Sequence, residues 1–233
     1  MSEWRLIQMN ILELKEVSYQ YEGTKKNVIS NLSYNFERGT LYVIMGKSGS
    51  GKTTLLSLIS GLDLPTGGDI LYNGESIRKL NRDDYRAKGI GVIFQGYNLL
   101  TNATVLENIL LSMNISSFKS MDSDKNKKRI ALRLLQRIGI DEEKAKRKIL
   151  KLSGGEQQRI GIARALSHNP DIIIADEPTG NLDGETEENI MDIFKELAYN
   201  QNKCVILVTH SKSVASYADE LIELHSINKK GVK

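Results

Sequence analysis

Hydrophobic residues occur along the chain in short runs separated by turn residues. The segment 11–17 predicts a strand, and the alternation of Leu32, Tyr34 and Phe36 with polar neighbours predicts a half-buried one. The uninterrupted apolar run 41–45 predicts a strand that is buried on both faces. The chain therefore begins with strands of two different kinds.

Later segments continue the pattern but alternate strand with helix. Strands are predicted at 91–94, 172–175 and 205–208, and helices at 52–60 and 190–197. This alternation is typical of an α/β core built around a mostly parallel sheet.

The segment 98–151 has a helical character of its own. Thr104 and Glu107 have the spacing of a capping box at a helix start, and apolar residues recur at helical spacing between 130 and 138. We therefore predict that this segment is a helical insertion.

The composition is that of one ordinary globular domain. With 233 residues, of which 40% are hydrophobic and 26% charged, the chain can bury a substantial core. We predict one domain over 1–233, with a core from 1–97 and 152–233 and a helical subdomain at 98–151. The net charge of +3 is too small to favour a nucleic-acid partner, and none is expected.

The sequence predicts a protein of the cytosol unless another subunit holds it at a membrane. Glu3 and Arg5 interrupt the N-terminus, where we expect no signal peptide. No window approaches the roughly 20 apolar residues of a membrane span. The single cysteine, Cys204, lies in an apolar run and is predicted to be a buried strand thiol.

A glycine-rich segment follows the apolar run 41–45. Its sequence, GKSGSGKT at 46–53, fits the phosphate-loop pattern G-x-x-x-x-G-K-[ST]. Glycines let successive backbone N–H groups point towards an anion, and the next helix adds its positive end. Lys52 is predicted to reach the β- and γ-phosphates, and the Thr53 hydroxyl to bind Mg²⁺. The nucleotide-binding residues predicted here are Gly46, Ser48, Gly49, Ser50, Gly51, Lys52, Thr53 and Thr54.

Two carboxylates, Asp176 and Glu177, end the predicted strand 172–175. At the carboxyl end of a strand they face the crevice where open α/β sheets bind ligands. One can hold Mg²⁺ and the other can orient or deprotonate an attacking water. The alternative is a plain turn, because Pro178 and Gly180 follow at once.

A third motif, LSGGEQQR, occupies 152–159. Ser153 and Glu156 form a capping box, and the paired glycines leave backbone amides open to an anion. The segment alone indicates an anion site at a helix start, or simply a well-capped helix. It does not identify the anion.

Taken together, these motifs make the chain resemble the nucleotide-binding subunits of ABC transporters from about 11 to 224. The resemblance implies a P-loop NTPase core with a mostly parallel sheet, an N-terminal antiparallel β subdomain and a helical subdomain. It implies ATP and Mg²⁺ as ligands, ATP hydrolysis, and a homodimer that holds ATP between its two copies.

The resemblance also implies roles for residues that composition and spacing leave open. Tyr21 corresponds to the aromatic residue that stacks on adenine, and Gln95 to the glutamine that senses Mg²⁺ and water. Asp176 corresponds to the metal-side carboxylate, Glu177 to the catalytic base and His210 to the switch histidine near the γ-phosphate.

In such a dimer, the signature helix of one chain contacts the ATP held by the other. Ser153 and Gly155 correspond to these contacts, and Asp183 to the loop that couples the two sites. The additional residues predicted to bind nucleotide are Ser153, Gly154, Gly155, Glu156 and Asp183.

Within the family, the segments 91–109 and 179–183 resemble the lipoprotein-release, macrolide-export and antimicrobial-peptide-resistance branch. This implies a separate permease that exports or extracts a peptide, a lipoprotein or a hydrophobic antibiotic, with this subunit bound at the inner face of the cell membrane.

Two alternatives to a transport ATPase stay open. One is a non-transporting complex that regulates cell division or envelope processes. The other is an ATPase head for DNA repair, which the absence of sustained heptads between Gln95 and Ser153 disfavours.

Overall fold

The computed structural model describes residues 10–116, 123–180 and 182–224. The N-terminal positions Glu3 and Arg5 lie outside these ranges, as do Asn181 and the basic tail 228–233. Across the described ranges, none of the helices has the length and apolar character needed to cross a membrane.

An antiparallel sheet occupies the N-terminal part of the chain. In the described residues it contains β1 (Asn10–Tyr19), β2 (Ile29–Glu37), β4 (Gly67–Tyr72) and β5 (Glu75–Ser76), in the order β2-β1-β4-β5. β1 and β2 confirm the first two predicted strands. β4 was not predicted, because its sequence GGDILY lacks a sustained alternation.

The second sheet is parallel throughout its described pairings. It has the order β6-β7-β8-β3-β9, with β3 at Leu41–Met45, β6 at Ile90–Ile93, β7 at Ile172–Asp176, β8 at Cys204–Thr209 and β9 at Glu220–Glu223. The predicted parallel α/β core is confirmed. The edge strand β9 was not predicted, since charged residues occupy both of its ends.

The apolar runs of the parallel sheet are divided between two cores. Tyr42 and Ile44 of β3 pack in a core that includes residues of the antiparallel sheet, whereas Leu41 and Val43 pack in the core on the opposite face. The period-two alternation of a strand produces this division. The free Cys204 is fully buried, as predicted.

Helices flank the sheets at α1 (Lys52–Ile59), α6 (Gly154–Leu166), α7 (Gly184–Lys195) and α8 (Lys212–Ala215). A π-helical turn, Glu196–Asn200, extends α7. α1 ends at Ile59, one residue before the end of the helix predicted at 52–60, because Ser60 is its C-cap.

Short elements complete the described helices. α2 (Arg82–Asp84) runs into a π-helical turn at Tyr85–Gly89.

The predicted helical insertion contains α3 (Val105–Ile115), α4 (Asp124–Arg137), α5 (Glu142–Ala145) and a 3-10 turn at Ile149–Lys151. A third core joins α3 and α4 and extends into α6. The boundaries of the insertion at 98 and 151 stay a prediction.

The capping box predicted at the start of α3 is present, with the Thr104 hydroxyl 3.2 Å from the Glu107 amide nitrogen. In α4 the fully buried residues are Ala131 and Leu135, while Ile130 and Leu134 are only partly buried.

A polar cluster joins the two sheets near the amino ends of the parallel strands. Asp171, just before β7, accepts a hydrogen bond from Arg38 Nη1 at 2.8 Å and another from the Tyr72 hydroxyl at 2.9 Å. Arg38 precedes β3, and Tyr72 ends β4 of the antiparallel sheet. The hydrogen bond from Arg38 is the main cause of a lowered pKa of Asp171. This cluster fixes the antiparallel sheet against the parallel one.

We expect Asp171→Asn to lower the free energy of unfolding by about 1–2 kcal/mol at pH 7, because it removes a charge-assisted pair of hydrogen bonds. A lowered pKa stabilises the fold above the unfolded value of about 3.9, and that contribution is lost as the pH falls through the folded value. In urea unfolding, the difference in unfolding free energy between wild type and Asp171→Asn should therefore become smaller below about pH 4.

The matched control is Glu143→Gln, which alters an exposed i,i+4 ion pair with Arg147. Because exposed ion pairs contribute little to stability, Glu143→Gln should leave the free energy of unfolding close to that of wild type. Equal effects of the two variants would contradict the structural role of the Asp171 cluster.

Candidate functional site

The glycine-rich segment forms a tight loop between β3 and α1. Gly51, the N-cap of α1, has φ of 93°, a left-handed conformation that favours glycine. A Cβ on Gly46 would lie only 2.4 Å from Ser50 Oγ, so a side chain there would have to displace Ser50. Lys52 Nζ donates to Gly46 O at 2.7 Å and to Lys47 O at 3.2 Å. The ammonium group is thus held across the loop.

Asp176, the last residue of β7, lies opposite the start of α1. Thr53 donates from its hydroxyl to Asp176 Oδ2 at 3.4 Å. Burial, followed by the nearby charge of Glu177, raises the pKa of Asp176. A positive charge brought next to this carboxylate would favour its ionised form.

Glu177 is held by β8 and by the residue that follows that strand. Its φ of 46° is left-handed, which is unusual for a residue with a side chain. Its amide donates to Val208 O at 2.8 Å, and the Thr209 hydroxyl donates to Oε2 at 2.9 Å. The backbone N–H of His210 donates to Oε1 at 3.1 Å, and His210 Nδ1 lies 2.6 Å from the same oxygen. Both carboxylate oxygens are therefore fixed in place.

Sequence reasoning assigned no role to Thr209. Its side chain is buried, at 1% exposure, and it also accepts a hydrogen bond from the Ser211 amide at 3.0 Å. The available signal was its position between the apolar end of β8 and His210, where a hydroxyl interrupts a buried run.

Tyr21 extends from the end of β1 towards α1. Its hydroxyl lies 2.8 Å from Thr54 Oγ1, and its ring packs edge-on against Tyr19 with centroids 5.1 Å apart. The side chain is 46% exposed, so one side of the ring is open. A flat ligand can stack on that side.

These groups surround one open cavity of about 800 Å³. Among the residues predicted for the site, those that line it are Tyr21, Ser48, Gly49, Gly51, Lys52, Thr53, Thr54, Gln95, Asp176, Glu177 and His210. Val28 also lines it and was not predicted. Gly46 and Ser50 are absent from this lining, and the Ser50 hydroxyl is buried. Loop amides, a lysine and two carboxylates thus converge where the parallel strands end.

The third motif lies elsewhere. The capping box of α6 is present, with Ser153 N donating to Glu156 Oε2 at 2.9 Å, yet Ser153 and Gly155 do not line the cavity. Lys144 pairs with Glu156 at 2.9 Å, and its hydrogen bond is the main cause of a lowered pKa of Glu156. The start of α6 is therefore ordered without contact with the cavity of its own chain.

Asp183 also lies outside the cavity lining. It caps α7 by accepting hydrogen bonds from the Thr186 amide and hydroxyl, each at 2.9 Å. A Cβ on Gly155 would lie 2.9 Å from Thr186 Cγ2, so α7 packs closely against the start of α6. Thr186 therefore lies between Asp183 and the start of α6.

The oxygens at the cavity suit a hard divalent cation. Thr53 and Asp176 supply a hydroxyl and a carboxylate. In the described ranges, the side chains of His, Cys, Asp and Glu form no group of three able to hold a metal. A cation here would need further oxygens from phosphate and water, which is how Mg²⁺ binds beside nucleotides.

Residues 29–180 match the family model described as ABC transporter. YclH of Bacillus subtilis, an uncharacterised ABC transporter ATP-binding protein, is 43% identical over 93% of this chain and 94% of its own. The macrolide export ATP-binding/permease protein MacB of Mannheimia succiniciproducens is 40% identical over 93% of this chain, which corresponds to 33% of its length.

Solved structures of the cassette MJ0796, a bacterial ABC transporter cassette, have a similar fold. Its dimeric structure matches with a TM-score of 0.82 and 36% identity, over 91% of this chain and 94% of that one. Its dimeric post-hydrolysis state, bound to ADP and Pi, matches with a TM-score of 0.83 over 91% and 93% of the two chains.

The open side of the Tyr21 ring leads to a prediction about the adenine site. Tyr21→Ala should weaken ATP binding by roughly tenfold at most, because a stacked aromatic contributes about 0.5–1.5 kcal/mol. Tyr21→Phe keeps the ring and loses only the contact with Thr54, so its affinity should stay near that of wild type. A direct binding titration measures both, and unchanged affinity in Tyr21→Ala would remove this residue from the site.

Proposed function

The chain is an ATP-binding subunit and an ATPase of the ABC transporter family, and from this premise we propose that it drives a separate membrane permease. The permease exports or extracts a peptide, a lipoprotein or a hydrophobic antibiotic. One observation carries the proposed mechanism: Lys52 and Glu177 line the cavity while Ser153 lies outside it. Each copy then holds ATP in its own cavity and completes the site of its partner.

ATP binding uses the groups that converge on the cavity. The triphosphate lies along the loop amides and the ammonium of Lys52, and the adenine stacks on Tyr21. Mg²⁺, when bound, would neutralise phosphate charge. Thr53 and Asp176 would hold it, and Gln95 lines the same cavity.

Hydrolysis needs a water held in line with the γ-phosphate. Glu177 orients that water and accepts its proton, since hydrogen bonds from Thr209 and His210 fix the direction of the carboxylate. The side chain of His210 is 75% exposed and that of Glu177 only 12%, so the imidazole stands at the mouth of the cavity. From there it reaches the γ-phosphate.

The position of the third motif supports a dimer. The first turn of α6, at Gly154 and Gly155, has backbone amides that lack partners within the helix, which favours an anion. In the dimer that anion is the γ-phosphate held by the partner. The dimeric structures of MJ0796, one of them bound to ADP and Pi, support a dimer. ATP binding closes the dimer and hydrolysis reopens it. This opening and closing is the motion that would be passed to the permease.

The relatives support a separate permease and an export function. This chain corresponds to 94% of YclH, which is named for ATP binding alone, but to 33% of MacB, whose name joins ATP binding, a permease and macrolide export. We place the subunit at the inner face of the cell membrane. The permease docks beside Gln95, where Phe94 and Leu100 are exposed.

Glu177→Gln tests the chemistry and the dimer together. The change keeps size but removes charge and basicity, so ATP turnover should fall by roughly 10² or more. Binding should persist, because Lys52 and Thr53 are unchanged. The variant should elute from size exclusion as a dimer with ATP, and as a monomer or weaker dimer without it.

Two further variants sharpen this test. Ser153→Arg in the Glu177→Gln background should abolish the ATP-dependent dimer, since a bulky cation blocks close approach. Glu75→Gln, an exposed glutamate on β5, should match wild type in turnover and elution. A Glu177→Gln protein that stays monomeric with ATP at micromolar concentration would count against the shared site.

Copurification tests the permease. An affinity-tagged chain, purified from detergent-solubilised membranes of its own cells, should retain an integral membrane protein in stoichiometric amount. Leu100→Glu should lose that protein while keeping ATP turnover, because a charge opposes burial of an apolar contact. Leu221→Glu is the matched control, since Leu100 and Leu221 are 52% and 51% exposed. Recovery of the wild-type chain without any membrane protein would contradict the permease proposal.

A further inference from the structure

The loop that carries Gln95 has an unusual backbone. Tyr97 and Asn98 have φ of 57° and 48°, so two successive residues with side chains are left-handed. This conformation is disfavoured for such residues and persists where surrounding contacts hold it. Within the loop, Tyr97 N donates to Phe94 O at 3.1 Å and Asn98 N to Gly96 O at 2.6 Å.

Contacts from α6 hold residues 97 and 98 of this loop from outside. Arg164 Nη1 donates to the carbonyl oxygen of Asn98. Tyr97 lies along the same helix, since a Cβ on Gly161 would be 3.7 Å from its carbonyl oxygen and one on Gly154 would be 3.5 Å from its hydroxyl. Helical geometry places positions 154, 161 and 164 towards one side of α6.

Arg164 differs from the arginines that form surface ion pairs. It is partly buried, burial lowers its pKa, and in the described ranges no carboxylate lies within ion-pair distance of it. A partly desolvated guanidinium needs hydrogen bonds in place of water. The Asn98 carbonyl supplies one. The backbone of Arg164 is fixed as well, because its carbonyl oxygen accepts from Ser112 Oγ at 3.2 Å and Ser167 Oγ at 2.8 Å.

We propose that Arg164 is a positioning residue for ATP hydrolysis, which ties the loop of Gln95 to the helix that begins at Ser153. The proposal rests on the roles proposed above for Gln95 and Ser153. α6 is one uninterrupted helix, so Ser153 and Arg164 are separated by about 16 Å of rigid backbone. When the partner's nucleotide draws the start of α6 towards it, Arg164 carries the displacement to Asn98 O and hence to Gln95 in this chain's own cavity. Nucleotide binding in the partner's cavity thereby changes the position of Gln95 in this chain's cavity.

A double-mutant cycle in the full-length chain tests this link. Arg164→Met should lower kcat for ATP by about tenfold and change KM by less than about threefold, because Tyr21, Lys52 and Thr53 are unchanged. Arg164→Lys keeps a donor for Asn98 O and should recover most of kcat. In a Gln95→Ala background, Arg164→Met should lower kcat by less than about twofold further, since it acts through Gln95.

The matched control is Arg78→Met, which removes an arginine that donates to the backbone oxygen of Pro65. Arg78→Met should keep wild-type kcat, because among the described residues Arg78 does not contact the loop of Gln95. If the kcat of the double variant falls by the product of the losses of the two single variants, the link is overturned. Wild-type kcat in Arg164→Met would also overturn it. If Arg164→Met does not fold, Arg164→Gln, which is shorter and uncharged, takes its place in the cycle, and equal losses of kcat in the wild-type and Gln95→Ala backgrounds overturn the proposal. A failure of the role proposed for Gln95 is distinguishable, because it appears as wild-type kcat in Gln95→Ala alone.

Discussion

The parallel pairing of β3, β6, β7 and β8 is the constraint on which the site depends. Parallel strands end at one edge, so the loop after each strand delivers its residues to the same place. The phosphate loop follows β3, Gln95 follows β6, Asp176 ends β7 and His210 follows β8. An antiparallel pairing of any of these strands would carry its residue to the opposite edge. The polar cluster around Asp171, near the other edge, fixes the antiparallel sheet that brings Tyr21 over the loop.

The carboxylate of Glu177 shows how the fold directs a side chain. The left-handed backbone of Glu177 directs its side chain towards β8. There the Thr209 hydroxyl and the His210 amide each donate a hydrogen bond to one of the two carboxylate oxygens. Such a conformation has a cost, and the hydrogen bonds to β8 offset it. The proposed base is therefore oriented before substrate binds, which is the condition under which a positioned carboxylate accelerates a reaction.

In the proposed mechanism, the nucleotide site is divided between two chains. The start of α6 is capped and packed against α7, but it does not reach its own cavity. In the proposed dimer, close approach of a second copy would complete the site, so assembly and ATP binding would become one equilibrium. The hydrogen bond from Arg164 to Asn98 connects α6, which starts at the third motif, to the loop of Gln95. Gln95 lines the cavity of the same chain.

The sequence by itself determined the chemical groups and the elements that carry them. The phosphate loop, the buried strand 41–45 and the capping box at Ser153 depend on neighbouring residues and on spacing, which a sequence displays directly. It missed β4 and β9, whose pairing comes from strands distant in the chain. Only the tertiary structure decided which groups meet: the Thr209 hydroxyl at Glu177 and the Arg164 guanidinium at Asn98 are contacts across long sequence separations. Such contacts arise from packing of whole elements, so no local pattern encodes them.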